Sequence, residues 1–179
     1  MPQPLIRTIG HSTRPVDALI EMLQAHGVQR LIDVRTIPKS RYNPQYNSEA
    51  LEQSLRAAGI AYGHIKALGG LRHPRKDSPN TAWRNQSFRG YADYMQTDQF
   101  RDALETLIEM GRQKRIAIMC AEAVPWRCHR SLVADALNAR AVPAIEILSE
   151  KSYRAHKLTP FAQVDGMRVT YPPEQAKLL

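Results

Sequence analysis

Long apolar runs are missing from this 179-residue chain. None approaches the roughly 20 residues that cross a bilayer as a helix. The opening residues MPQPLIRTIG carry no apolar export core, which predicts a protein that is not exported. Cysteine is scarce too: Cys120 and Cys128 are the whole supply. Two thiols cannot form the multi-bridge framework of a small secreted domain, so the expectation is a reduced, cytoplasmic setting without membrane contact. No internal repeat or interdomain linker breaks the chain, and residues 1–179 read as one domain. That length buries about two-thirds of the unfolded surface.

Acidic residues are in deficit, 17 against 25 basic ones, for a net charge of +8. The deficit is local. Arg35–Tyr46 holds three cations and no acid, and His64–Tyr91 holds six cations and only Asp77. Such segments are either solvated loops or an anion-attracting face for phosphate, nucleotide or nucleic acid. Tyr42, Tyr46, Trp83, Phe88 and Tyr91 lie among these cations, an arrangement that suits stacking on bases but also simple anchoring of loops.

Hydrophobic patterning supplies the architecture. Leu5–Ile9 reads as a strand ending at Gly10-His11-Ser12. Pro15 then opens a helix with Val16, Leu19, Ile20 and Leu23 on one face, and Gly27 stops it. Val28–Val34 is a second buried strand. Helices are predicted over Ser48–Ala58, around Tyr91–Met95, over Phe100–Met110 and over Ser131–Asn138; strands over Ile60–Ile65, Arg115–Met119 and Ala144–Leu148, the last taken as central. Gly69–Asn85, with its Gly-Gly pair and two prolines, is the least regular stretch. Asp165-Gly166 between alternating runs signals a hairpin. This alternation predicts an α/β fold: a three-layer domain with a mostly parallel central sheet flanked by helices, plus a C-terminal β-hairpin.

Ligands in such sheets bind beyond the carboxyl ends of the strands. His11 and Ser12, Asp33 and Arg35, and Cys120 and Glu122 all fall at those ends. Cys120, before a cationic loop and a helix start, is a candidate nucleophile of depressed pKa; its bland alternative is a small buried hydrophobe. Cys128 is an alternative reactive thiol or a redox partner. Arg127 and Arg130 flank a helix N-terminus whose free amides favour anions, or one of them pairs with Glu122 or Asp33. Asp33, Glu122 and His11 are candidate proton-transfer groups, with Ser12 as an ordinary helix cap in the other reading. Ser12, Arg35, Arg41, Arg127, Cys128, His129 and Arg130 are the expected anion- or substrate-binding set. The spacing of Cys120, Cys128 and His129 fits no common zinc motif, so no metal is expected, and no motif calls for a cofactor.

Taken together, TIGHS at Thr8–Ser12, IDVR at Ile32–Arg35, Ser40–Pro44, Gly69-Gly70, and the Met119–Arg130 pattern M-C-A-E…C-H-R resemble the domain-of-unknown-function (DUF) 488 family. The tail His156–Pro172 is similar to it as well. The resemblance covers about Leu5 to Tyr171 and implies a compact, broadly bacterial α/β protein without an assigned activity. In element order, LIDVR at Leu31–Arg35, Gly63–Ala67 and the cysteine loop before Arg130–Leu137 look like rhodanese-like sulfurtransferases, with Cys120 at the matching position. Pro125 and Trp126 lengthen that loop and a second cysteine is added. Arg127 also falls one position late for the Cys-to-Arg spacing of cysteine phosphatases. The expected function is binding or turnover of an anionic small molecule or nucleotide. Nucleic-acid binding or processing is the alternative, and cysteine-dependent sulfur transfer the second alternative. Oligomeric state is left open.

Overall fold

Eight strands and five helices follow one another along the residues described by the computed structural model, 3 to 174. The main sheet joins β1 (Ile6–Gly10), β2 (Arg30–Asp33), β3 (Ala61–His64), β4 (Ile116–Cys120), β5 (Ala144–Ile147) and β6 (Tyr153–Ala155) in the order β3-β2-β4-β1-β5-β6. All neighbours run parallel except the β5–β6 pair. The C-terminal hairpin is present: β7 (Gln163–Asp165) pairs with β8 (Arg168–Thr170), turning on Gly166 at φ 62°, a left-handed conformation open to glycine at no steric cost.

Helices α1 (Val16–Ala25) and α2 (Ser48–Ala57) cover one face of the sheet, and α3 (Gln86–Tyr94), α4 (Asp98–Gln113) and α5 (Arg130–Ala139) the other. The pleat of β4 shows why. Ile116, Ile118 and Cys120 join the α3–α5 core, whereas Ala117 and Met119 join the α1–α2 core. Both faces are apolar, as a parallel strand covered on both sides requires. The three-layer α/β expectation therefore describes the chain.

Two local expectations need correction. β5 is not central; β6 lies outside it as an antiparallel edge strand, unforeseen because its three residues are all exposed. Helix α3 starts five residues before Tyr91, at Gln86, because the Asn85 side chain caps the free amides of Ser87 and Phe88. The Gly69–Asn85 stretch carries no helix or strand, as its sequence predicts, and is folded onto α3. Buried Asp93 accepts bonds from Arg75 N (2.8 Å), Ser78 Oγ (2.6 Å) and Asn80 Nδ2 (2.7 Å), and the Arg72 guanidinium lies 3.6 Å from the Tyr94 ring centroid. Cys120 and Cys128 have their sulfurs in bonding contact, the arrangement of the redox-partner alternative.

Candidate functional site

The carboxyl ends of β1, β2 and β4 are laced together by backbone bonds that continue past the strands. His11 N donates to Cys120 O (3.0 Å), Ser12 N to Ala121 O (2.8 Å) and Val34 N to Met119 O (3.0 Å). Gly10 is required at this seam, because a Cβ there would overlap the Glu122 carbonyl. The loops after the strands enclose a cavity of about 500 Å3, in the size range of small-molecule sites.

Of the residues singled out in the sequence, Arg35, Cys120, Glu122, Arg127, Cys128 and His129 line this cavity. Arg130 lies just beneath it, while His11 and Asp33 sit behind Arg35. Ser12 and Arg41 are outside the wall; Arg41 is exposed, its guanidinium 6.0 Å from the Tyr42 ring. Lys39, Asn85 and Tyr91 are lining residues not singled out as site groups. For Lys39 the signal existed, since it belongs to the cationic Arg35–Tyr46 segment.

Asp33 and Arg35 spend their chemistry on each other. Asp33, fully buried, accepts from Arg35 Nε (2.9 Å) and Nη2 (2.6 Å), from Arg35 N (3.1 Å) and from Tyr62 Oη (2.7 Å). Arg35 also donates from Nη2 to the Tyr46 carbonyl, and its Nη1 faces His11 Nε2 at 3.4 Å. Because His11 Nδ1 lies 2.7 Å from the Ser12 carbonyl, an acceptor only, Nδ1 carries the proton and Nε2 offers its lone pair to Arg35. Burial, with Arg35 nearby, holds the His11 pKa down at about 4, against the pull of the Ser12 carbonyl and Asp33. His11 stacks on Tyr46 at 4.0 Å. This is a neutral imidazole in a packed network, and one face of Arg35 is what reaches the cavity.

Arg130 differs from Arg35 in having no carboxylate. It is 2% exposed and forms no salt bridge among the described residues. Nη1 donates to Cys120 Sγ at 2.8 Å and to the Glu122 carbonyl, and Nη2 to the Ala123 carbonyl at 3.1 Å. Nε is buried without a partner. Burial lowers its pKa to about 10, partly offset by Glu146, so it remains a cation at neutral pH.

Cys128 has a different neighbourhood. Its Sγ is 3.5 Å from the backbone N of Arg130, at the start of α5, and 3.6 Å from His129 Nδ1. His129 Nε2 sits 2.8 Å from the Val34 carbonyl, so Nε2 bears the proton and Nδ1 is an acceptor turned toward Cys128. Burial lowers the His129 pKa to about 4, against the Val34 bond. The two sulfurs meet across the cavity floor, eight residues apart in sequence, with Cα atoms 7.2 Å apart. Lys39 and Arg127 are exposed at the mouth without ion-pair partners among the described residues, and Glu122 is the acid beside them.

The model of the family described as Domain of unknown function DUF488 matches residues 15–137. The chain belongs to the DUF488 family. That match contains β2, β4, Cys120, Cys128, Arg130 and the whole cavity wall. No curated protein and no solved structure matches the chain. Among the described residues, no group of three or more His, Cys, Asp or Glu is placed to hold a metal ion, and no helix is long and apolar enough to cross a membrane. The aromatics of the basic segments mostly face inward in this DUF488 chain. Tyr46 and Tyr91 are buried, and Trp83 packs among Phe88, Phe161 and Tyr171, leaving Tyr42 exposed.

Proposed function

We propose that this DUF488 protein takes a small anionic ligand, of phosphate-like or nucleotide-like charge, into the cavity beyond β2 and β4, beside a reactive thiolate at Cys120. The observation that carries this reading is the 2.8 Å approach of the buried, carboxylate-free Arg130 guanidinium to Cys120 Sγ. A buried cation seeks a counter-charge, and the thiol is the ionisable group it touches. Lys39 and Arg127 attract the anion to the mouth, while the Asp33–Arg35 pair holds the wall in place. Cys120 then acts as the nucleophile of an enzyme working in a reducing, cytoplasmic setting.

The test is alkylation by iodoacetamide of the reduced protein across a pH series, with the modified cysteine identified by mass spectrometry. The reading expects Cys120 to react with a midpoint well below the roughly 8.5 of a free thiol. Inorganic phosphate or a nucleoside monophosphate should slow the reaction, and Lys39→Gln with Arg127→Gln should abolish that protection. An ordinary midpoint together with no protection by any anion would overturn it.

A further inference from the structure

Cys128 is not needed for a lone nucleophile, yet its sulfur is placed against that of Cys120. We propose that Cys120 and Cys128 are a working dithiol–disulfide couple whose substrate is a low-molecular-weight disulfide bearing carboxylates. The inference rests on the cavity being the anion site described above.

The two thiols are chemically unequal, and the inequality assigns their roles. Cys120 faces a buried guanidinium, a full positive charge that favours an anionic sulfur, and so takes the attacking role once reduced. Cys128 accepts the Arg130 backbone N–H and faces the unprotonated Nδ1 of a neutral His129, which is placed to take its proton as it attacks. Each cysteine is at most 5% exposed, and both border the cavity. A reactant must therefore come through the cavity mouth, past Lys39 and Arg127, which favours a small anionic molecule over a protein surface.

The exchange balances in two steps. The Cys120 thiolate attacks one sulfur of the substrate RS–SR, forming a Cys120–SR mixed disulfide and releasing RS⁻. The Cys128 thiol then attacks the Cys120 sulfur. A Cys120–Cys128 bond forms, the Cys120–SR bond breaks, and the Cys128 proton passes by way of His129 Nδ1 to the leaving RS⁻, giving RSH. The dithiol is oxidised by two electrons, and the substrate disulfide is reduced to one thiol and one thiolate, the latter taking its proton from solvent. A second small dithiol, run in the opposite sense, restores the starting state.

Oxidised glutathione is the probe, a disulfide with four carboxylates. Reduced wild-type protein mixed with it should lose both iodoacetamide-reactive thiols and end as the intramolecular disulfide. Cys128→Ser should stop at one glutathionyl adduct on Cys120, and Cys120→Ser should gain none. His129→Gln should form the adduct at the wild-type rate but close the ring about a hundredfold more slowly, a size typical of a lost proton relay. Circular dichroism checks that each variant is folded, Cys128→Ala repeats the trapping without the serine hydroxyl, and the alkylation profile separates the two readings. If Cys120 shows the low midpoint and anion protection but Cys128→Ser and Cys128→Ala collect no adduct, the couple is wrong and the anion site stands. An adduct that forms on Cys120 yet never closes onto Cys128 in the wild type also overturns the couple. If the adduct forms and closes while phosphate gives no protection, the couple stands and the anion reading fails.

Discussion

Arg130 sends Nη1 back from the first residue of α5 to lie 2.8 Å from Cys120 Sγ at the last residue of β4. The same guanidinium ties down the carbonyls of Glu122 and Ala123, so one side chain both tunes the thiol and shapes the loop above it. Replacing it with methionine keeps much of the buried volume and removes the charge. Arg130→Met is expected to slow Cys120 alkylation at pH 7 by about tenfold or more, because an adjacent cation lowers a thiol pKa by more than one unit. Arg130→Lys should retain part of the effect. Equal alkylation rates in all three reduced proteins would separate Arg130 from the chemistry.

Asp33 holds the neighbouring arginine. With Asp33→Asn, Arg35 becomes a nearly buried cation without its carboxylate. Leaving one member of a buried pair alone costs about 3 kcal/mol or more, read as a lower midpoint in urea unfolding. We propose a positioning role for Asp33, whose oxygens are taken by Arg35 and Tyr62. Any fall in anion protection should therefore track a displaced Arg35, while the pH midpoint for Cys120 alkylation stays put.

The irregular segment before α3 depends on a single carboxylate. Asp93 gathers Arg75 N, Ser78 and Asn80, and Asn80 Oδ1 in turn accepts from Tyr171 N at 2.8 Å. Asp93→Ala leaves the buried Asn80 amide without its acceptor, at about 1–3 kcal/mol, and frees the part-buried Arg75 N–H and Ser78 hydroxyl to bond water. Trypsin should then cut within Arg72–Arg84 at sites protected in the wild type. An unchanged digestion pattern would show that other contacts hold the segment.

How much of this was legible beforehand depended on the range of the interaction involved. The order of strands and helices showed in the apolar periods around Leu19–Leu23 and Ile116–Met119, and it carried Cys120, Arg35 and Arg127 to one sheet edge. Partnership did not show. That Arg35 is occupied by Asp33, and His11 by Arg35 and Tyr46, depends on rotamers at two strand ends and a loop. Such contacts leave no periodicity. Cys128 was open to reading as a redox partner, but its contact with Cys120 is set by how the 3₁₀ turn at Pro125–Arg127 folds the loop back. The Asn85 cap was the exception: asparagine just before a helix is a readable local signal, hidden here in a basic segment read as loop.

His156 closes the far end of α5 onto the C-terminal segment, and its protonation sets a pH limit on the fold. Nε2 lies 2.8 Å from Asp135 Oδ1 and Nδ1 3.6 Å from Glu146 Oε1. Burial opposes charge on this ring, but hydrogen bonds to Asp135 and Glu146 and their negative charges prevail, raising its pKa from 6.5 to about 9. Asp135 also accepts from Thr159 Oγ1 and Tyr171 Oη, each at 2.7 Å, so the imidazolium is the cation balancing the knot. A raised folded-state pKa means the protonated form is favoured by folding. The stabilisation is complete below about 6.5, declines between there and 9, and is lost as pH rises through 9. His156→Gln should therefore lose about 3 kcal/mol near pH 6. The gap to wild type should narrow steadily in urea titrations up to pH 9.5. A gap that stays constant over that range would mean that His156 contributes by packing and neutral hydrogen bonding instead of by charge.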